Sequence, residues 1–250
     1  MLSKDELRIY DRQIMIPELG EEGQEKLKKS KIFVAGAGGL GSPVSIYLAA
    51  AGVGTIIIAD NDSVEMSNLN RQILHWQRDV GYKKIESARD KISLINTFAK
   101  VETIDMTITA ENITGFTEGC DAIVDAMDNI VTRFALNKAA ISLGIPLFHG
   151  AVNGMEGRAT TIIPGKTACI GCMYKADVKL SKFPVLGVTP GLIGVIQATE
   201  VIKYLTGMGD LLVNRLLIYD GMELKFKEFK LNRNPECTEC SGVDNKPLKG

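Results

Sequence analysis

Short apolar runs and longer amphipathic stretches alternate along most of this chain. Ile32-Phe33-Val34-Ala35 is apolar at every position and partly β-branched, which predicts a central parallel strand buried on both faces. Thr55-Ile56-Ile57-Ile58-Ala59 repeats that pattern and ends at Asp60. Further strands are expected over 100–105 and 121–125, with helices over 43–52, 84–96, 110–117 and 130–142. Such alternation belongs to a parallel sheet covered on both sides. The pattern then changes: 146–151 and 157–163, divided by Asn153-Gly154-Met155-Glu156-Gly157, read as a hairpin that continues the sheet antiparallel. Gly191 to Leu205 is apolar on most sides and helical in composition, so it is expected in the core or in a subunit interface. Two last strands, Arg215 to Tyr219 and Leu224 to Phe229, precede a polar tail. Residues 4–29 read as helices joined by Pro17-Glu18-Leu19-Gly20, with Gln24 to Lys29 as a solvated, charged face. The fold class is therefore α/β, a Rossmann-like, doubly wound, mostly parallel sheet extended by antiparallel strands. Residues 1–250 read as one domain: an N-terminal helical extension (1–30), a nucleotide-binding core (31–165) and a C-terminal part (166–250).

Composition narrows the function. A chain of 250 residues, 45% hydrophobic, can bury a sizeable core, and a net charge of -1 selects no particular partner. No basic stripe with interleaved aromatics points to nucleic acid. No apolar run reaches membrane-spanning length and the first residues lack a signal-peptide core, so a cytoplasmic protein is expected. In that compartment the five cysteines are better read as ligands, nucleophiles or small core residues than as disulfides.

Directly after the first strand, Gly36, Gly38 and Gly41 give G-x-G-x-x-G at the start of a helix. Glycines there permit a tight turn, a close approach to phosphate and close helix packing, while the helix's free N–H groups favour an anion. Asp60 stands where dinucleotide folds hold a ribose hydroxyl. No Gly-Lys-Ser/Thr follows, so this is not a P-loop; a glycine cluster that serves helix packing alone is the plainer alternative. The segment from Asp60 to Gly81 is a long polar connection where a short one is expected, and carries Asp62, Asn68, Asn70, Arg71 and Gln72, with Lys83 and Lys84 opening the next helix. A lysine there opposes the helix dipole, so Lys84 and Arg71 are candidates to clamp a polyphosphate; a solvated loop with its own salt bridges is the alternative. Asp128, beyond the strand over 121–125, is a candidate magnesium ligand beside phosphate, or else the cap of the following helix. Arg12 on its own reads as a surface salt-bridge partner. His75 and His149 lie in no catalytic constellation and read as hydrogen-bonded structural residues.

Cys169-Ile170-Gly171-Cys172 and Cys237-Thr238-Glu239-Cys240 are paired C-x-x-C groups, a donor set for tetrahedral Zn²⁺. Four sulfurs leave no open position, so the zinc is structural and ties the C-terminal tail to the sheet. Redox use is the lesser reading, because neither pair opens a helix in a thioredoxin-like unit.

In order along the chain, GAGGLGS, D-x-D, SNLNRQ, GYKKIESA, DAMDN and the two C-x-x-C pairs resemble the MoeB/ThiF/HesA branch of the ubiquitin-activating-enzyme-like adenylyltransferases, from about Tyr10 to Cys240. The resemblance implies ATP-dependent adenylation of the C-terminal glycine of a small ubiquitin-like sulfur carrier protein ending in Gly-Gly. It also implies a homodimer, Mg²⁺ and structural zinc. Carried over, Gly36, Gly38, Gly39 and Gly41 hold the nucleotide, Asp60 its ribose, and Asn68, Arg71 and Lys84 its phosphates. Asp62 and Gln72 complete the site, Asp128 binds Mg²⁺, and Arg12 reaches the neighbouring subunit's site. One departure stands out. Where many members carry a cysteine before the last long helix, this chain has Lys182-Phe183-Pro184-Val185-Leu186-Gly187, so it is expected to stop at the adenylate and leave sulfur to a separate donor. An NAD-dependent oxidoreductase and a non-catalytic nucleotide-binding scaffold are the readings left beside it; Arg71, Lys84 and Asp128 speak against the first.

Overall fold

The computed structural model describes residues 1–175 and 183–242; Lys182 of the loop run above lies outside them. Three short helices lead in: α1 (Lys4–Ile9), α2 (Asp11–Ile14) and α3 (Gly20–Lys29). Ser3 and Glu6 close a reciprocal cap on α1. The solvated face expected from Gln24 to Lys29 needs correction. Gln24 and Leu27 are both buried, three residues apart on one face of α3, and the Gln24 amide donates to the Ala51 carbonyl at 3.0 Å.

The alternating part runs β1 (Lys31–Ala35), α4 (Gly41–Ala50), β2 (Thr55–Ala59), α5 (Lys84–Ile95), β3 (Lys100–Ile104), α6 (Ile113–Thr117), β4 (Ala122–Asp125) and α7 (Ile130–Leu143). Then come β5 (Leu147–Asn153), β6 (Glu156–Ile162), α8 (Ile170–Met173), α9 (Val188–Thr206), β7 (Arg215–Asp220) and β8 (Lys225–Lys230). Helix α6 starts three residues later than its composition implies, because the Asn112 side chain accepts from Thr109 N–H and donates to the Thr107 carbonyl, holding a turn ahead of it.

One eight-stranded sheet has the order β3-β2-β1-β4-β5-β6-β7-β8. Strands β1 to β5 pair in parallel and β5 to β8 antiparallel. Side chains alternate across it. Ile32 and Val34 face α4, α5 and α9, whereas Phe33 and Ala35 face the layer of α6, α7 and α8. Helix α9 is core rather than surface: Ile193, Ala198 and Val201 are buried against α4, β5 and β6. Among the described residues no helix is long and apolar enough to cross a membrane. Strand order reverses between β1 and β4, so the loops after these two strands part there and open a crevice at their carboxyl ends, the general ligand position in such sheets.

Candidate functional site: a glycine-loop cavity and a four-cysteine cage

The loop after β1 turns back at Gly36, whose φ is +96°. A Cβ at Gly41 would lie 1.9 Å from the Gly36 carbonyl oxygen, so only glycine lets α4 start this close to the strand. Ala37 between them is held from both sides. Its N–H donates to Asp60 Oδ2 at 2.8 Å, and its carbonyl accepts from His75 Nε2 at 2.8 Å. Burial holds the His75 imidazole below its usual pKa, so at neutral pH it is an uncharged donor, a structural residue as its isolation in the sequence implied.

A cavity of about 450 Å³ opens over this loop, with Gly36, Gly38 and Gly39 in its floor and Asp60 at its edge. Lys84, the first residue of α5, is nearly buried, and its Nζ lies 2.7 Å from Asp62 Oδ2, a carboxylate that is mostly in solvent. That partner can be exchanged for a ligand anion at little cost. Arg71 donates to the Ser67 carbonyl at 2.7 Å and to Asn70 Oδ1 at 3.1 Å, both neutral, so its charge is left for the cavity. Gln72 lines the same wall with its Oε1 buried and unpartnered. Asp128 is exposed to the cavity and has no hydrogen bond or ion pair among the described residues. Its alternative as a helix cap is overturned: Asn129 caps α7, its Oδ1 accepting from Thr132 N–H at 2.9 Å.

Three of the sequence candidates are not brought to the cavity wall. Gly41 serves helix packing. Asn68 turns its Oδ1 to Glu65 N–H at 3.0 Å, and its carbonyl takes the N–H groups of Arg71 and Gln72, so it shapes the loop that presents them. Arg12, on α2, is exposed and lies in no ion pair among the described residues, which removes its surface salt-bridge reading. Conversely, the wall contains residues that the sequence reading passed over. Arg133, on α7, is buried in it, donating to the carbonyls of Met127 at 2.7 Å and Gly150 at 3.2 Å. A lone cation in the otherwise apolar first turns of α7 was its only signal. Val152, Phe183, Val185 and Pro190 form an apolar rim on the side toward α9.

The second constellation lies in the layer of α7 and α8. Cys169, Cys172, Cys237 and Cys240 bring their sulfurs within 4.8 Å of one another. Neighbouring Sγ atoms are 3.9, 3.7 and 3.6 Å apart. A tetrahedral ion with Zn–S bonds of about 2.3 Å needs edges of about 3.8 Å, so this donor set fits zinc. Asn234 N–H donates to Cys172 Sγ at 3.4 Å. Cys169 does open a helix, as the N-cap of α8, but that helix has four residues and belongs to no thioredoxin-like unit. The fifth cysteine, Cys120, sits just before β4, at the end of the sheet away from the cavity, and burial pushes its thiol up to about 11.

The chain matches the ThiF family over residues 10–239. It is 42% identical to a SAMP-activating enzyme E1 of Haloferax volcanii, over 98% of this chain and 93% of that protein. It is 38% identical to a sulfur carrier protein adenylyltransferase of Thermus thermophilus, over 95% and 92%. Some relatives are longer: the chain spans 53% of a maize adenylyltransferase and sulfurtransferase that is 40% identical over 96% of it. Among solved structures, MccB of E. coli in complex with a MccA peptide variant has the same fold, with a TM-score of 0.85 and 24% identity over 96% of this chain and 76% of that one.

Proposed function

Given that the chain belongs to the ThiF family, we propose that it uses ATP to adenylate the C-terminal glycine carboxylate of a small ubiquitin-like sulfur carrier protein ending in Gly-Gly, releasing pyrophosphate. The observation that carries this reading is the cavity itself, in which the glycine loop, two cations with exchangeable or neutral partners and one unpartnered carboxylate face a common space. A carboxylate oxygen of the carrier forms a bond to the α-phosphorus of ATP, and the bond from that phosphorus to the β,γ-diphosphate breaks. The nucleophile is already anionic, so no proton needs a base; positioning and charge stabilisation do the work. Arg71 and Lys84 neutralise the departing pyrophosphate. Asp60 holds the ribose with what its carboxylate does not give to Ala37 and Asp62. Gly36, Gly38 and Gly39 bring the backbone to the phosphates, and the exposed Asp128 carboxylate is suited to Mg²⁺, which supplies charge stabilisation at the phosphate oxygens when bound. The apolar rim of Val152, Phe183 and Val185 offers no charge partner to an incoming chain end, which suits uncharged glycines.

In this reading Arg12 acts in trans across a homodimer, since among the described residues its guanidinium is in no ion pair. Phe183 occupies the rim where a nucleophile would be needed, and Cys120 is remote and held as a thiol. The chain therefore makes the acyl-adenylate and leaves sulfur delivery to a separate donor. Mass spectrometry of a Gly-Gly-ended carrier mixed with the protein, Mg²⁺ and ATP tests this: a carrier heavier by one adenylyl group is expected, and a carrier of unchanged mass with ATP consumed contradicts it.

A further inference from the structure

Behind the cavity runs a buried polar chain for which the reaction above has no use. Strands β4 and β5 pair with Asp125 opposite His149, and both side chains are sealed from solvent. His149 Nδ1–H donates to Asp125 Oδ2 at 2.6 Å, which leaves Nε2 to accept from the Tyr174 hydroxyl at 3.2 Å. Arg133 Nε lies 3.4 Å from the same Oδ2. Burial holds the His149 imidazole below its usual pKa against the pull of Asp125, so the charge of Asp125 is met by Arg133 and His149 is a neutral donor.

The inner ends of this chain converge on one residue, Met127. Asp125 Oδ1 accepts from Met127 N–H at 3.1 Å, and Arg133 Nη2 donates to the Met127 carbonyl at 2.7 Å. Gln197 Nε2 fixes the strand beneath by donating to the carbonyls of Asp125 and Phe148 at 2.8 and 2.9 Å. Met127 is thus gripped by both of its backbone polar groups, and the next residue is Asp128, whose own side chain has no hydrogen bond or ion pair among the described residues. The backbone position from which Asp128 projects its carboxylate is held by the residue before it.

We infer that His149, through Asp125 and Arg133, is a positioning residue for Asp128 and sets how tightly the chain holds the divalent cation that accompanies ATP. The inference rests on Asp128 being the cation ligand. Without the Nδ1 donor, Oδ2 of Asp125 is left with Arg133 alone, Arg133 is drawn toward it, and the Met127 carbonyl loses its donor. A carboxylate whose backbone is free to shift holds a cation less well, because the ordering then has to be supplied at binding.

The test is calorimetric binding of ATP to the full chain with magnesium titrated in and no carrier present. His149→Leu is expected to raise the magnesium concentration for half-maximal effect roughly tenfold, while affinity for ATP in EDTA stays that of wild type. His149→Asn, whose amide reaches Asp125 as Nδ1 does, is expected to restore most of the difference, and Tyr174→Phe to shift it less than His149→Leu. Equal losses in the Leu and Asn variants, or a loss that is the same with and without magnesium, would overturn the inference in favour of packing. If His149→Leu does not fold, the wild-type protein decides. It has two histidines, so its imidazole nitrogen spectrum is simple. The His149 resonance is expected to report Nδ1–H and to move when magnesium joins the ATP complex, and an unmoved resonance overturns the inference. Absence of carrier adenylation by wild type would count against the proposed function while leaving these binding results standing.

Discussion

The cavity at the carboxyl ends of the strands and the cysteine cage in the layer of α7 and α8 treat their polar groups in opposite ways. In the cage the four sulfurs face one another within 4.8 Å, and the chain around them is pinned, with Asn234 donating to Cys172 and Arg233 to the carbonyl of Gly165 at 3.0 Å. In the cavity the groups are left short of partners: among the described residues Asp128 has none and Arg71 has only neutral acceptors, and the partner of Lys84 is a solvated carboxylate. A closed donor set stabilises a fold, whereas an open one keeps its interaction free energy for a ligand that comes and goes. The same chain uses buried networks to support the open site, as at Ala37, gripped by Asp60 and His75, and at Met127, gripped by Asp125 and Arg133.

If the two regions divide the work in this way, substitutions should move different observables. The largest effect is expected from Asp128→Ala, with carrier-dependent adenylation falling by roughly 10²–10³. Its melting temperature should stay that of wild type, since the side chain has no hydrogen bond or ion pair among the described residues; a variant that adenylates at full rate would remove Asp128 from the site. Cys237→Ala should do the reverse, losing one zinc per chain by metal analysis and lowering the melting temperature by on the order of 10 °C. Unchanged stability with zinc lost would mean that the cage does not hold the tail. Smaller, and directed at what the single chain leaves out of its cavity, is a mixing experiment. Arg12→Ala and Lys84→Ala are each expected to be inactive as homodimers. After subunit exchange roughly a quarter of wild-type activity should return, because half the dimers are hybrids and each carries one intact site. No recovery with hybrids demonstrated places Arg12 in cis or outside the reaction. Cys120→Ala should change nothing, and non-reduced mixtures of wild type, carrier and Mg²⁺·ATP should show no DTT-sensitive adduct; an adduct lost in that variant would make Cys120 a nucleophile despite its burial.

The open region was the more legible of the two in the sequence at the level of motif, and the less legible at the level of support. Glycines after an apolar strand, an acidic residue after the next, and a cation opening a helix are local patterns with local causes, and each fell where the pattern placed it. The grip on Met127 has no such pattern, because Asp125, Arg133 and His149 meet only through strand register and the first turns of α7. Asp128 and Asn129 are both competent caps, so neighbouring residues of equal propensity left the choice to the backbone. Gln24 read as solvated because its neighbours are charged, although it shares the buried face of α3 with Leu27. Helix α8 is too short for any periodicity to announce it.

The central claim, that the open cavity transfers adenylate to a protein carboxylate, is tested most directly by ATP–pyrophosphate exchange measured with and without a Gly-Gly-ended carrier. Adenylation is reversible and needs the acceptor carboxylate. Labelled pyrophosphate is therefore expected to enter ATP only when the carrier and Mg²⁺ are both present, and not with a carrier lacking its last glycine. Exchange at the same rate without any carrier, or none with any carrier while ATP binds, would contradict the account.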